Sequence, residues 1–264
     1  MKSFQKQVVV MAAVAAAAYA CGGTTAEPAK KVAAGSSELS FGTLTAKPLE
    51  ERTQCVVKRL GNKTPIHVGA IHNHLGAPSH HMVVYRVNDT VEKATPFDCE
   101  PFVDTLDPTK GSPIMVTQKK DDYLKLPKGV AYTLDENQMV RMELHFINPT
   151  SSDVEVSATS SFEPISDDDY KDEAGFLFIG NVDVKIPAHS KTTLGPTFFP
   201  IPRDYYDAKF FAITGHEHHY GTNVVIDTAA DTLDPGKRVY DVPDWSWNEP
   251  KTEVFDPPIS VPEG

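Results

Sequence analysis

Val140-Arg141-Met142-Glu143-Leu144-His145-Phe146 alternates apolar and polar side chains without a break. Val140, Met142, Leu144 and Phe146 share one parity; Arg141, Glu143 and His145 share the other. Successive side chains on a strand point to opposite faces, so the pattern predicts a β-strand with one face in a core and the other in water or a cleft. His145 then stands on the polar face beside Glu143. Composition extends this reading to the whole chain. The 21 Pro and 16 Gly spread through 264 residues favour short strands joined by turns over long helices, and 40% hydrophobic residues suffice for packed cores. An all-β protein is expected. The length admits one large β domain or two of ordinary size, and two is the preferred reading.

The organisation follows from where composition changes. Lys2 and Lys6 precede an apolar stretch from Val8 to Ala20, which is too short to span a bilayer stably and matches an export signal over 1–20. Ala18-Tyr19-Ala20 fits a signal cleavage site. Cys21-Gly22-Gly23 resembles a bacterial lipobox, with Ala18 where Leu is usual, so lipidation of Cys21 is the favoured expectation over plain secretion or a retained helix. Each of these puts the folded part outside the cytoplasm, in the periplasm or at the cell surface. A polar stretch rich in Thr, Ser, Lys and Gly makes 21–40 a disordered tether. Domains are expected over 41–168 and 169–264, because the chain turns polar and acidic before Phe176-Leu177-Phe178-Ile179 starts a new strand set. Asp167-Asp168-Asp169 in that stretch suits a solvated loop better than a calcium site. Asp-Thr-Leu-Asp-Pro occurs at Asp104–Pro108 and again at Asp231–Pro235, a repeat that turn chemistry explains.

Charge and cysteines narrow the partners. The export segment carries Lys2 and Lys6 without an acid, so its removal takes the net charge from −11 to about −13, and nucleic acid is excluded as a partner. With Cys21 given to lipid, Cys55 and Cys99 remain as an even pair in an oxidising compartment, and a disulfide is expected. Free thiols acting as soft copper ligands are the alternative.

Histidine carries the chemistry. Three clusters recur: His80-His81-Met82, His145 in its strand, and His216-Glu217-His218-His219-Tyr220-Gly221. Imidazole is the commonest metal-binding side chain, so a metal site is the leading reading. His216 and His218 lie two apart on an expected strand from Phe210 and project to one face, able to grip one ion. His80 and His81 would face opposite ways on a regular strand; both reach one metal only if the backbone bends, and Pro78-Ser79 makes an irregular entry plausible. His67, His72 and His74 lie upstream, where a second, looser metal site competes with solvent-exposed or supporting roles. The spacing fits neither a helical zinc protease nor a cupin.

Together these motifs resemble the copper type II, ascorbate-dependent monooxygenases, the family of peptidylglycine alpha-hydroxylating monooxygenase and dopamine beta-hydroxylase. His80-His81-Met82 resembles its His-His-Met. Leu144-His145-Phe146 with Asn148-Pro149 resembles its single-histidine strand, and His216-Glu217-His218-His219 with Gly221 its His-x-His-His-x-Gly. The order fits too, with about 64 residues from His81 to His145 and about 71 from there to His216, and Cys55 and Cys99 fall where the family has a disulfide. The resemblance implies two tandem jelly-roll-like β-sandwich domains with a copper on each side of a solvated cleft. His80, His81 and His145 would hold an electron-transfer copper; His216 and His218 would hold the catalytic copper where O2 binds. Ascorbate would supply electrons, and a small-molecule or peptide-like substrate would be hydroxylated at a C–H bond.

Two departures qualify this expectation. The family completes its catalytic copper with a downstream methionine, and no Met follows His218, so the second domain is expected to be incomplete. Peptide-amidating members carry Arg two residues before the His-x-His, where this chain has Thr214. A copper-binding extracytoplasmic lipoprotein without turnover is therefore the second functional class, ahead of a zinc-bound structural or hydrolytic protein. Phe198, Phe199, Tyr205, Tyr206, Trp245 and Trp247 could line an apolar pocket but serve equally as core filling.

Overall fold

A computed structural model of the chain describes residues 6–11, 37–101, 110–181, 184–217, 220–246 and 251–261. The protein is all-β, and no α-helix occurs among the described residues. It forms two compact units, one of Tyr19–Ala174 and one of Met1–Ala18 with Gly175–Gly264. The division falls between Ala174 and Gly175, a little beyond the boundary expected after residue 168. Strand structure also begins earlier than the expected tether end, because Ser37–Ala46 is already β2. Cys21 and the rest of the tether lie outside the described residues.

The larger unit is built from two sheets. In one, β2 pairs with β11 (Val154–Ile165), which pairs with β4 (Ile66–Leu75); β8 (Asp121–Lys125) and β9 (Val130–Leu134) share the other edge of β4. In the other, β6 (Lys93–Asp98), β3 (Glu51–Arg59), β10 (Met139–Ile147), β5 (Ser79–Val87) and β7 (Gly111–Thr117) run antiparallel in that order. The sheets approach through β10 and β2, and through β5 with β4 and β11. Val140, Met142, Leu144 and Phe146 are fully buried, as are Met82 and Val84 beside them. Each such side chain contributes about 1.5–3 kcal/mol by leaving water.

The opposite parity of β10 departs from expectation. Arg141, Glu143 and His145 are buried too, Glu143 at 1% exposure, so that face meets neither open water nor a wide cleft. The physical reason lies in the neighbours. β10 is the middle strand of its sheet, and its second face carries an apolar cluster of Val57, Val83, Tyr85, Val87 and Met139, with Phe97 and Val116 packed on it. The Cys55–Cys99 disulfide ties β3 to the segment after β6 on this side. Alternation in β10 marks a polar layer covered by protein.

The smaller unit has its own core of Leu177, Ala208, Phe210, Ile213, Tyr240 and Val242. β13 (Lys209–Thr214) pairs antiparallel with β16 (Thr252–Ser260), and β14 (Val225–Thr228) forms a hairpin with β15 (Lys237–Asp241). β1 (Lys6–Met11), inside the segment read as an export signal, runs parallel to β13. Asp231 and Asp234 fold the loop between β14 and β15 by accepting hydrogen bonds from the backbone N–H groups of Leu233, Asp234, Ala230 and Gly236, so turn chemistry accounts for this copy of the repeat. The other copy lies outside the described residues. Tyr205 and Trp245 pack against the core as filling, whereas Trp247 is outside the described residues.

Candidate metal centre

Two neighbouring strands assemble the first histidine cluster. β5 and β10 are antiparallel, with His81 directly opposite His145. The register then shifts, because Phe146 pairs with Ser79, and His80 is left as the extra residue of a β-bulge. A bulge places two residues of one strand against one of its partner and bends the bulged strand. It solves the parity problem of adjacent histidines in the way the irregular Pro78-Ser79 entry suggested. The ring centres of His80 and His81 lie 5.4 Å apart, those of His80 and His145 5.6 Å, and those of His81 and His145 4.7 Å. All three predicted residues of this site are therefore brought together.

These separations can be compared with what an ion requires. An imidazole nitrogen binds Zn2+ or a similar ion at about 2.0–2.1 Å, which puts the ring centre about 3.2 Å from the metal. Rings spread at right angles then sit about 4.5 Å apart, and rings in a trigonal plane about 5.5 Å apart. The observed triangle fits that range closely. Among the described residues, however, no group of three or more His, Cys, Asp or Glu side chains stands as a finished metal-binding set. Backbone position and χ1 set the ring centres, while the directions of the nitrogens depend on the soft χ2 torsion. The rings are gathered; their donor atoms still need turning.

His145 shows which atom would bind. Its Nε2 lies 3.1 Å from Oε1 of Glu51, the first residue of the neighbouring β3, and its buried Nδ1 has no hydrogen-bond partner. A carboxylate opposite Nε2 favours the tautomer with the proton there, leaving the Nδ1 lone pair for a metal. Burial holds the His145 imidazole below the ordinary histidine range, against the opposing pull of Glu51. The ring is therefore kept neutral, the form a metal needs. Met82, next to His81 in sequence, is fully buried and opposite Leu144, on the core side of the sheet, so it does not join the cluster.

Asn148 explains the Asn-Pro that follows the strand. Its Nδ2 donates to the carbonyls of Ala46, Lys47 and Ser152 at 2.8–3.0 Å, and its Oδ1 accepts from the Thr150 backbone and hydroxyl. It clamps the end of β10 to the end of β2. This is a structural role that supports the position of His145.

The same face of β5 and β10 carries a polar row whose burial the sequence did not disclose. The Tyr85 hydroxyl donates to Glu143 Oε2 at 3.2 Å, and the Arg141 guanidinium lies 4.2 Å over the Tyr85 ring. Glu51 was likewise missed, since it is far from His145 in sequence and only strand register joins them.

The second predicted pair is described only in part. His216 sits two residues beyond the end of β13, in a half-buried stretch, while His218 lies outside the described residues. The expectation that both project from one regular strand is corrected for His216, because β13 ends at Thr214. Gly215 makes that exit tight: a Cβ there would stand 2.6 Å from both Tyr240 and Val224, and its carbonyl accepts the Trp245 indole N–H at 3.2 Å. Burial raises the Glu217 carboxyl above its usual range. Thr214 is buried and shares a 2.6 Å hydroxyl hydrogen bond with Thr252, so it is committed within the sheet.

The upstream histidines occupy β4. His67 stacks on Tyr170 with ring centres 3.7 Å apart, and its Nδ1 meets the Thr133 hydroxyl at 3.1 Å. His72 and His74 both face Asp121 of β8. No protein-family model matches the chain, and no curated protein matches it either.

Proposed function

We propose that the chain is a copper-dependent monooxygenase that hydroxylates a C–H bond of a small or peptide-like substrate with O2 and a one-electron reductant such as ascorbate. The observation that carries the reading is the triangle of His80, His81 and His145. Its edges match three imidazoles around one ion, and its donors are all nitrogen, a set that suits both copper oxidation states. Copper there would supply single-electron transfer. The chain's own residues hold the rings: the bulge presents His80 and His81, Glu51 orients His145, and Asn148 fixes the strand end. In this reading the larger unit is a jelly-roll-like sandwich, and His216 with His218 provide the second, catalytic site.

The Cys55–Cys99 disulfide supports an extracytoplasmic setting, and Cys21 is proposed as the lipid anchor to a bacterial membrane. A second reading is copper binding without turnover. It is favoured by the further histidines His67, His72 and His74, which add metal-binding side chains outside the triangle. Copper analysis combined with ascorbate-driven O2 consumption separates the two. Two coppers per chain and O2 uptake lost in His216→Ala support the monooxygenase; one copper, lost in His145→Ala, with no O2 uptake, supports simple binding.

A further inference from the structure

We propose that His72, His74 and Asp121 form an additional site for a divalent transition-metal cation of the Zn2+ class, on a face of β4 and β8. It does not rest on the copper reading, and none of its residues belongs to the histidine triangle. His72 and His74 are two apart on β4 and share a face, while Asp121 stands opposite His74 in the antiparallel register with β8. Asp121 Oδ1 is approached by both rings, by His74 Nδ1 at 3.0 Å and by His72 Nε2 at 3.5 Å. With metal–ligand bonds of about 2.0–2.2 Å, ligand atoms lie about 2.9 Å apart at right angles and about 3.4 Å apart in a tetrahedron. Both distances are close to that spacing. Both nitrogens now face the shared oxygen itself, so the three side chains are gathered but, as at the histidine triangle, the rings must turn before they aim at one ion.

The environment is suited to such an ion. The His72 side chain is 16% exposed and is held edge-on by Tyr123 with ring centres 6.0 Å apart, whereas His74 and Asp121 are about half exposed. One ligand is thus fixed and two can adjust toward an incoming cation. Two imidazoles and one carboxylate make a borderline donor set, which fits Zn2+ better than Ca2+ or Mg2+. With three protein ligands the fourth position is left to water.

The test uses the full chain and Zn2+ itself. Zinc per chain after equilibrium dialysis is measured for the wild type, His74→Gln and Asp121→Asn, each also in a His81→Ala/His145→Ala background that removes the histidine triangle. The expected result is one equivalent less in His74→Gln and in Asp121→Asn, in either background. Both substitutions sit at exposed side chains, and unchanged urea unfolding of the metal-free variants checks that the fold persists. Equal zinc content in wild type and both variants would overturn the proposal. So would ring resonances of His72 and His74 that stay in place when Zn2+ is added. Failure of the copper reading would show separately, as His81→Ala/His145→Ala leaving copper content unchanged.

Discussion

Glu51 offers the sharpest test of the histidine triangle, because it touches His145 without being a ligand. In Glu51→Ala the 3.1 Å contact to Nε2 is lost, and with it the carboxylate that selects the tautomer and holds the ring. Outer-shell partners of metal-bound histidines are worth about 10- to 100-fold in affinity. The Glu51 side chain is 49% exposed, so water screens the contact and the lower end applies. A loss of about tenfold, or about 1.4 kcal/mol, is expected for Glu51→Ala. Glu51→Gln keeps an acceptor and should lose less. Burial already lowers the His145 pKa while Glu51 opposes it, so removing Glu51 pushes the same way and leaves the ring neutral. The affinity loss therefore reports orientation and not proton competition. The assay is competition for Cu(I) against a chromophoric chelator at neutral pH, in a His216→Ala background that isolates the first site. Fold stability should move by no more than about 0.5 kcal/mol, as for an exposed position. Identical copper affinity in wild type, Glu51→Gln and Glu51→Ala would refute the assignment of Nδ1 as the ligating atom.

Other consequences are open to measurement. Replacing Cys55 and Cys99 by Ser opens a loop of sequence separation 44 and should cost about 4 kcal/mol through the unfolded chain, read as a lower urea midpoint that matches reduced wild type. Asn148→Ala removes three carbonyl contacts and leaves buried acceptors unmet, so a loss of about 2–3 kcal/mol is expected in urea unfolding. Gly215→Ala forces a Cβ to within 2.6 Å of Tyr240 and Val224, and overpacking of this kind should destabilise the smaller unit by about 1–3 kcal/mol by thermal unfolding. Burial raises the Asp122 carboxyl, so the folded chain holds this proton more tightly than the unfolded one. Its stability penalty is absent below the unfolded pKa, grows as pH rises through the folded value, and is complete above it. Asp122→Asn should thus be more stable than wild type at neutral pH, with the difference vanishing in acid; a constant difference across pH would disprove this.

Much of the fold was legible because strand parity is a local signal. The alternation from Val140 to Phe146 located β10 and its core face, and the pair of cysteines left once Cys21 is set aside anticipated the bridge between Cys55 and Cys99. What the second face of β10 meets was not legible. That depends on Val83 and Tyr85 from β5 and Val57 from β3, strands whose adjacency no local pattern states. Glu51 was hidden for the same reason, since its link to His145 exists only through the pairing of Ile147 with Glu51 across β3 and β10. The end of β13 was misjudged because the apolar run through Ile213 gives no mark of where pairing stops, whereas the crowding of Gly215 against Tyr240 and Val224 does.

The bulge at His80 decides whether this sheet can gather three imidazoles at one point. Two histidines opposite each other on neighbouring strands bring their rings close, here to 4.7 Å for His81 and His145. A third imidazole on the same face of a regular β5 would have to come from two residues along, about 6.6–6.8 Å away at the backbone, a longer step than the bulge leaves to His80. Inserting one residue into β5 replaces that step with a single residue. The third ring then stands 5.4 and 5.6 Å from the others, on a strand that is still paired on both sides. The cost is one missed pairing, and the gain is a rigid three-imidazole corner whose reach does not depend on a loop. For that reason His80 and its neighbour His81 carry more of the functional argument than any other adjacent pair in the chain. A regular β5 with histidines at 79 and 81 would leave the same composition without the same site.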